Sequence, residues 1–399
     1  MRSDILRRLL NKLVAQAKMD SHCTWSCTLA SRRNAFTLVE LLVTVTIISI
    51  LVSILIPSIT MARAAARAAT CSSNLRQFGV GFFAYAERNN GSLCSGAFDW
   101  RRDGAVTDIG WVADMVDGGI PVGEMLCVSN DSQLSSTYKD LLKLTVKASD
   151  GDCVDWLGSA PKTLPDGTQE SNPCRTIATM NRGEERRVIV EQQIFEKNFN
   201  TNYAASWLLV RSQPRLDASG NLVADKAGCN ADILSRNSSY GPLNLTSLEA
   251  APVASSFVPL LGCARAAAMT LEDQIGPNGP GTLLAQSFTS GPKLRSSFST
   301  PSFSAGTSRN GASGWWAQWE GMDATSGLPN TMQDYRAFNP IHRGICNVLM
   351  GDGSVKKLVD QNGDGALNNG FTSPKSGFAD ANPEISPDDV FSKASLRGL

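Results

Sequence analysis

The chain is poor in histidine: among 399 residues, His22 and His342 are the two present. A hydrolase triad or a histidine-based metal site depends on imidazole as base or ligand. Were the basic amino-terminal stretch through residue 35 removed, His342 would stand alone, with no second imidazole to draw on. Net charge is lacking as well, with 37 basic residues against 37 acidic ones. Electrostatics therefore give no reason to expect nucleic acid as a partner. The ten cysteines include no Cys-x-x-Cys pair, so their spacing does not suggest a zinc site. No internal repeat is apparent.

What the chain does have is one long apolar run. From Phe36 to Ile56 the only ionisable side chain is Glu40. Roughly twenty apolar residues suffice to cross a bilayer as a helix. A lone carboxylate inside such a run costs about 2.5–3.5 kcal/mol on insertion scales, so it needs a partner and a role. Arg32 and Arg33, just upstream, favour keeping that end cytoplasmic. A secretory signal peptide has a shorter apolar core, with the cut after it. A plain anchor explains the length but not Glu40. Neither Cys23 nor Cys27 follows an apolar core, which argues against a lipoprotein.

The stretch Ala35-Phe36-Thr37-Leu38-Val39-Glu40, between a basic leader and an apolar helix, closely resembles the type IV prepilin signal. That signal is shared by type IV pilins and the pseudopilins of type II secretion. The resemblance implies a leader over 1–35, cut between Ala35 and Phe36 by prepilin peptidase, which then N-methylates Phe36. Ala35 stands where the family usually has Gly. Glu40, the fifth mature residue, would pair with the Phe36 amine of a neighbouring subunit during assembly, and Pro57 would kink the helix. Met19 as start would give a leader of ordinary length; alternatively Ile5 to Ala17 would lie on the inner membrane surface as a basic amphipathic helix. The leader holds seven basic and two acidic residues, leaving 30 against 35 and a mature chain near −5.

Past the spanning segment (36–60) the helix should continue over 61–91. Ala62 to Ala69 has strong helix propensity but no wide apolar face. Cys71, Leu75, Phe78, Phe82 and Tyr85 then recur at helical period, a stripe suited to lying on a sheet. Asn89-Asn90-Gly91 is a stop signal. At about 1.5 Å per residue, a helix from Phe36 to Asn89 is about 80 Å long. The segment Cys71-Ser72-Ser73-Asn74-Leu75-Arg76-Gln77 resembles the Cys-x-x-Asn-Leu-Lys/Arg-Gln block of a large bacterial prepilin-like family of unassigned function. That family ends in a signature of His, nine residues, then Asp-Gly, matched here by His342 and Asp352-Gly353. Met125-Leu126-Cys127-Val128-Ser129 resembles its Leu-x-Cys-Pro-Ser, with Val128 in place of Pro. The implied fold is α+β and pilin-like: a long amino-terminal α-helix, membrane-spanning in its first half, packed on an antiparallel β-sheet with a large loop-rich β insertion.

An exported globular domain would cover 92–370, followed by a tail over 371–399. Its even set of eight cysteines favours disulfides, although eight allow roughly a hundred pairings. The middle reads as loop-rich antiparallel β structure, with Arg187 to Val190 and Ser206 to Val210 as apolar patches between turns such as Pro165-Asp166-Gly167 and Ala218 to Asn221. Positions 287–314 read as a flexible surface loop. Trp315, Trp316 and Trp319 after it suit either a sugar-binding platform or anchors of the loop to the core. Ile345 to Met350 and Ser354 to Val359 form a β-hairpin about Gly351-Asp352-Gly353, which His342 and Asp352 would hold by fixed hydrogen bonds. Next, Asp360, Asn362, Asp364, the Ala366 carbonyl and Asn368 are spaced as in an EF-hand-type calcium loop, with Gly365 at the sharp turn. Phe371 takes the place of the twelfth-position Glu, so Asp380, Glu384 or water would complete a Ca2+ shell. An ion-free Asn/Asp/Gly turn is the alternative.

The expected protein is thus a non-enzymatic, pseudopilin-like subunit of a type II secretion pseudopilus or type IV pilus-like fibre, minor or surface-displayed. It would be single-pass in the inner membrane, with its domain in the periplasm or outside the cell. Its partners would be prepilin peptidase, other pilin or pseudopilin subunits, the assembly platform and the lipid bilayer, with no nucleic acid. The competing reading is a membrane-tethered binding domain, for example for glycans, that uses the signal for export alone.

Overall fold

A computed structural model describes residues 37–146, 153–218, 220–301, 319, 321–372 and 376–396. One helix runs from Leu38 to Arg88, through Pro57. Thr37 and Glu40 start it as a capping box. The Thr37 amide and hydroxyl both donate to Glu40 Oε2 at 2.9 Å, and Thr37 Oγ1 accepts from the Glu40 amide at 3.2 Å. Farther along, the hydroxyls of Thr44, Thr46, Ser49 and Ser53 donate to carbonyls three or four residues back. These four polar groups are thereby satisfied inside the helix, as an apolar surrounding requires. The helix is long and apolar enough to cross a membrane, with a window of mean hydropathy 2.7 and none of that window buried.

The chain divides into two units, 1–59 and 60–399. In the second, the helix buries Cys71, Asn74, Leu75, Phe78, Gly79, Phe82 and Ala86, with Tyr85 half-buried. It stops where Asn90 and Gly91 turn to φ of 53° and 82°, and the Gly91 amide donates to the Ala86 carbonyl at 2.8 Å.

Short strands follow: β1 (Leu134–Ser135), then β2 (Lys162–Thr163) and β3 (Gln169–Glu170), which pair antiparallel around Pro165-Asp166-Gly167. The main elements are β4 (Tyr203–Ala205), β5 (Pro259–Cys263), β6 (Ala266–Thr270) and β7 (Leu283–Ala285). Last come β8 (Gly291–Leu294), β9 (Thr331–Asp334), β10 (Ile345–Met350) and β11 (Val355–Val359). The principal sheet has the order β11-β10-β5-β4 and is antiparallel throughout.

The buried stripe of the long helix packs on this sheet. Phe78 sets its ring edge-on to Tyr203 of β4, with centroids 5.4 Å apart. Asn347 of β10 donates to the Ala68 carbonyl at 3.0 Å. A Cβ on Gly79 would stand 3.0 Å from Leu349 Cδ1, and one on Gly81 would overlap Met115 Sδ at 2.3 Å. Glycine at these two points lets the helix backbone come close to β10 and to the helix Trp111–Asp117.

Several expectations change here. Residues 187–190 are helical, in Glu184–Ile189 and its π-type continuation Val190–Ile194. Residues 207–210 belong to the helix Trp207–Arg211, capped by Ser206 Oγ accepting from the Leu209 amide at 3.0 Å. A short apolar run suits a strand or a buried helix equally, and local capping decides. The loop expected over 287–314 is structured where it begins. Ser287, Thr289, Gly291 and Pro292 are buried, and β8 pairs with β9; 302–314 lie outside the described residues. The segment from 371 is no tail, since Phe371, Phe378, Ile385, Val390, Ala394 and Leu396 are buried and the Gln333 amide donates to the Ser392 carbonyl at 2.7 Å. Among the described residues one disulfide is formed, Cys153–Cys229. Cys71, Cys94, Cys127, Cys174, Cys263 and Cys346 are free and buried, short of the framework their even number suggested.

The stripe is what joins helix to sheet, so Phe78→Ala should cost about 3–5 kcal/mol. Val80→Ala, on the exposed face at 71%, should change stability by no more than about 0.5 kcal/mol. Chemical denaturation followed by tryptophan fluorescence measures both, and equal effects would refute the assignment of the faces.

Candidate functional site

At the amino-terminal site, Ala35 and Phe36 lie outside the described residues. Glu40 opens the helix, its carboxylate held by Thr37. The Thr37-x-x-Glu40 spacing is itself a capping-box signature, a second meaning of the motif that could have been found in the sequence.

At the carboxy-terminal signature, Asp352 Oδ1 accepts from the Ser354 amide at 2.9 Å, and the Gly353 amide donates to the Met350 carbonyl at 2.9 Å. Gly353 takes φ 81°, the left-handed geometry this tight turn needs. His342 and Asp352 do not brace the hairpin jointly. The His342 backbone amide donates to Ile345, but its imidazole turns into the core, with Nε2 3.5 Å from Cys127 Sγ and 3.6 Å from Cys263 Sγ.

Cys71 Sγ lies 2.9 Å from Cys263 Sγ, so four donor atoms, all within 4.8 Å of one another, gather from Cys71, Cys127, Cys263 and His342. All four residues are buried. Each comes from a different place: the long helix, the loop after Val122–Glu124, the end of β5 and the approach to β10. Asn202 clamps the Cys127 backbone from both sides, its Oδ1 accepting from the Cys127 amide at 2.8 Å and its Nδ2 donating to the carbonyl at 2.9 Å. Hydrogen bonding by Cys263, then Cys71, pulls the Cys127 thiol well below its ordinary range. The bond to Cys127 pushes Cys71 up to about 12, and burial raises Cys263. Linear spacing could not reveal this cluster, because Cys71 and Cys263 are 192 residues apart and Cys127 and His342 are 215 apart.

In the acidic loop, Asp360 accepts from the Gly363 and Gly365 amides at 2.7 and 2.8 Å. Asn362 accepts from the Asp364 amide at 2.9 Å, and Asp364 from the Ala366 and Ala379 amides at 2.8 Å. Glu384 reaches in from outside and accepts from Gln361, Asn362 and Asn368 at 2.8, 3.1 and 3.0 Å. One oxygen each from Asp360, Asp364 and Glu384 falls within 4.8 Å of the others, and these three could hold a cation. Asn368 is used differently, since its Oδ1 accepts from the Gly370 and Phe371 amides at 2.9 and 2.8 Å. Asp380 accepts from the Asn382 amide. Trp315 and Trp316 lie outside the described residues. Trp319 is 1% exposed and donates to the Gly220 carbonyl at 3.3 Å, so it serves as an anchor and offers no face to a sugar.

Comparison with known proteins agrees with the amino-terminal geometry. Residues 30–56 match the prokaryotic N-terminal methylation motif, and residues 60–117 match a protein family of unknown function, DUF1559. The two matches support a prepilin-like protein. The first match spans Ala35, Phe36 and Glu40, and the second Cys71 and Asn74. The carboxy-terminal signature falls outside both. No curated protein and no solved structure matches the chain.

Glu384 holds three backbone amides that would otherwise lie open. Glu384→Ala should speed hydrogen exchange at Gln361, Asn362 and Asn368 by roughly ten-fold or more, for about 1–3 kcal/mol of lost local stability. Unchanged exchange at these amides would show that the loop does not depend on Glu384.

Proposed function

We propose that the chain is a pseudopilin-like structural subunit and not an enzyme. On this reading it assembles through its amino-terminal helix into a type II secretion pseudopilus or type IV pilus-like fibre, as a minor or surface-displayed component. What carries the reading is Glu40, a carboxylate at the head of an exposed apolar helix inside a methylation-motif match. In hydrocarbon an opposite charge compensates such a group, and the Phe36 amine of a neighbouring subunit supplies one once the leader is cut. Prepilin peptidase, other subunits, the assembly platform and the bilayer are the partners on this reading. The chain spans the inner membrane once, with its domain in the periplasm or outside the cell.

The test begins with the mass and amino-terminal sequence of the protein from cells with and without prepilin peptidase. A chain starting at N-methyl-Phe36 only when the peptidase is present is expected. Glu40→Ala should leave the membrane level unchanged while fibre incorporation falls at least about ten-fold, an interaction loss above 1.4 kcal/mol. Normal incorporation of the variant would sink the fibre reading and leave the tethered binding domain standing.

Calcium at Asp360, Asp364 and Glu384 belongs to the same proposal, supported by the convergence of the three carboxylates. At a hundred-fold excess over its dissociation constant, calcium should add about 2.7 kcal/mol to the stability of the chelator-treated full chain. Asp360→Asn should abolish most of that gain. A melting temperature indifferent to calcium removes the ion from the proposal.

A further inference from the structure

We propose that Cys71, Cys127, Cys263 and His342 form a closed four-coordinate site for one Zn2+ ion, which fastens the long helix to the sheet. The donor set comes first. Thiolate sulfur and imidazole nitrogen are the ligands of structural zinc, and three of the former with one of the latter is a recurrent combination. Geometry agrees. With zinc–sulfur bonds of about 2.3 Å and zinc–nitrogen bonds of about 2.0–2.1 Å, a tetrahedron has S···N edges of roughly 3.5 Å and S···S edges of roughly 3.8 Å. Two of the three S···N separations are 3.5 and 3.6 Å, and the third, from Cys71, lies within 4.8 Å. The Cys71–Cys263 separation, 2.9 Å, would open by somewhat under about 1 Å to reach an edge.

Disulfide formation is the rival use of these sulfurs. It would consume two of them and leave a third thiol and the imidazole buried at the same point with nothing to do. At 2.9 Å the Cys71–Cys263 pair stands about midway between a sulfur–sulfur bond of roughly 2.0 Å and a tetrahedral edge of roughly 3.8 Å, so the third sulfur and the imidazole decide between the two uses. Cys153 and Cys229, by contrast, are bonded in the same chain.

The cysteine ligands are held by groups that do not themselves bind the ion, as metal sites require, while the Nδ1 of His342 is buried with no hydrogen-bond partner among the described residues. Asn202 fixes the Cys127 backbone through both its amide and its carbonyl. Asn130 donates to the carbonyls of Asn202 and Ala264 at 3.2 and 2.8 Å, tying the Cys127 loop to the end of β5. Asn74, one turn beyond Cys71 on the long helix, donates to the Met125 carbonyl at 2.7 Å. The three cysteine-bearing segments are thus linked to one another around the cluster. The chemistry balances without a redox partner: three thiols release three protons to solvent, the neutral imidazole gives a lone pair through Nε2, and the complex carries one net negative charge.

The experiment uses the full chain purified without chelators, with metal content measured by mass spectrometry and thiols counted by alkylation after denaturation. About one zinc per chain is expected, with Cys71, Cys127 and Cys263 all alkylated once the zinc is removed. Replacing zinc by Co2+ in the unaltered protein should give thiolate-to-cobalt charge transfer and the ligand-field bands of a tetrahedral site, a readout independent of any variant. His342→Ala and Cys263→Ser should each lose the bound zinc, whereas Cys94→Ser and Cys174→Ser, at buried thiols outside the cluster, should keep it. A disulfide between any two of Cys71, Cys127 and Cys263 overturns the proposal. So does a chain that takes up neither zinc nor cobalt, or zinc that persists in His342→Ala and Cys263→Ser alike.

Discussion

Everything in the folded unit depends on the face of the long helix between Cys71 and Ala86. One continuous helix has to serve two environments. Before Ile59 its side chains are mostly apolar, with large hydrophobic residues exposed and four hydroxyls bonded back to the helix, a pattern suited to lipid, where a helix alone satisfies its own backbone. From Cys71 onward the apolar residues narrow to one stripe, and burial follows that stripe. The change is written in the side chains, while the backbone stays the same. Gly79 and Gly81 lie beside the aromatics of that stripe, where a Cβ would stand 3.0 Å from Leu349 Cδ1 of β10 and 2.3 Å from Met115 Sδ of the helix Trp111–Asp117, so that those side chains would have to shift. Phe78 fills the space that remains, edge-on to both Tyr203 and Trp111. Shape is set there by what is missing from a side chain.

The parts legible in the sequence were those governed by local rules. The apolar run, the stripe at helical period, the Asn90-Gly91 stop and the Gly351-Asp352-Gly353 hairpin each need only a few neighbouring residues to be read. The middle is governed by contacts between distant residues. Arg211 and Asp103 show this well: both side chains are fully buried and paired, though 108 positions separate them. Arg211 also donates to the Leu234 carbonyl at 2.9 Å, and Asp103 accepts from the Ala97 amide. A buried charge survives only with such partners, and neither residue reveals its partner by spacing. The helix Trp207–Arg211 that carries Arg211 stands where β structure is expected, for a related reason. Five apolar-rich residues have no period long enough to measure, and the Ser206 cap outweighs them.

The same distinction separates the two halves of the candidate site. Glu40 could be recognised because the motif that carries it is one short stretch of neighbouring residues. Asp360, Asn362 and Asp364 could be recognised as a loop because each bonds an amide two to five positions away. Glu384, which completes that loop, comes from sixteen or more residues downstream. It was legible only as one of several candidates. The company the thiols keep is not legible in their spacing, since Cys-x-x-Cys is a pattern of neighbours in sequence. Here the fold supplies neighbours in space.

Cys71 brings these threads together. It belongs to the buried stripe, so packing alone accounts for a small apolar side chain there. Packing does not account for Asn74 one turn later, which sends its side-chain amide to the Met125 carbonyl and lies 3.3 Å from the Tyr203 hydroxyl. That contact holds the loop leading to Cys127, whose sulfur then faces His342. The blocks around Cys71, Cys127 and His342 look unrelated along the chain, one on a helix, one in a loop and one before a hairpin. In the fold they are sides of a single buried point. A cysteine and an asparagine three residues apart are what such a point demands of a helix, one side chain entering the cluster while the next turn fixes the loop that brings the second sulfur.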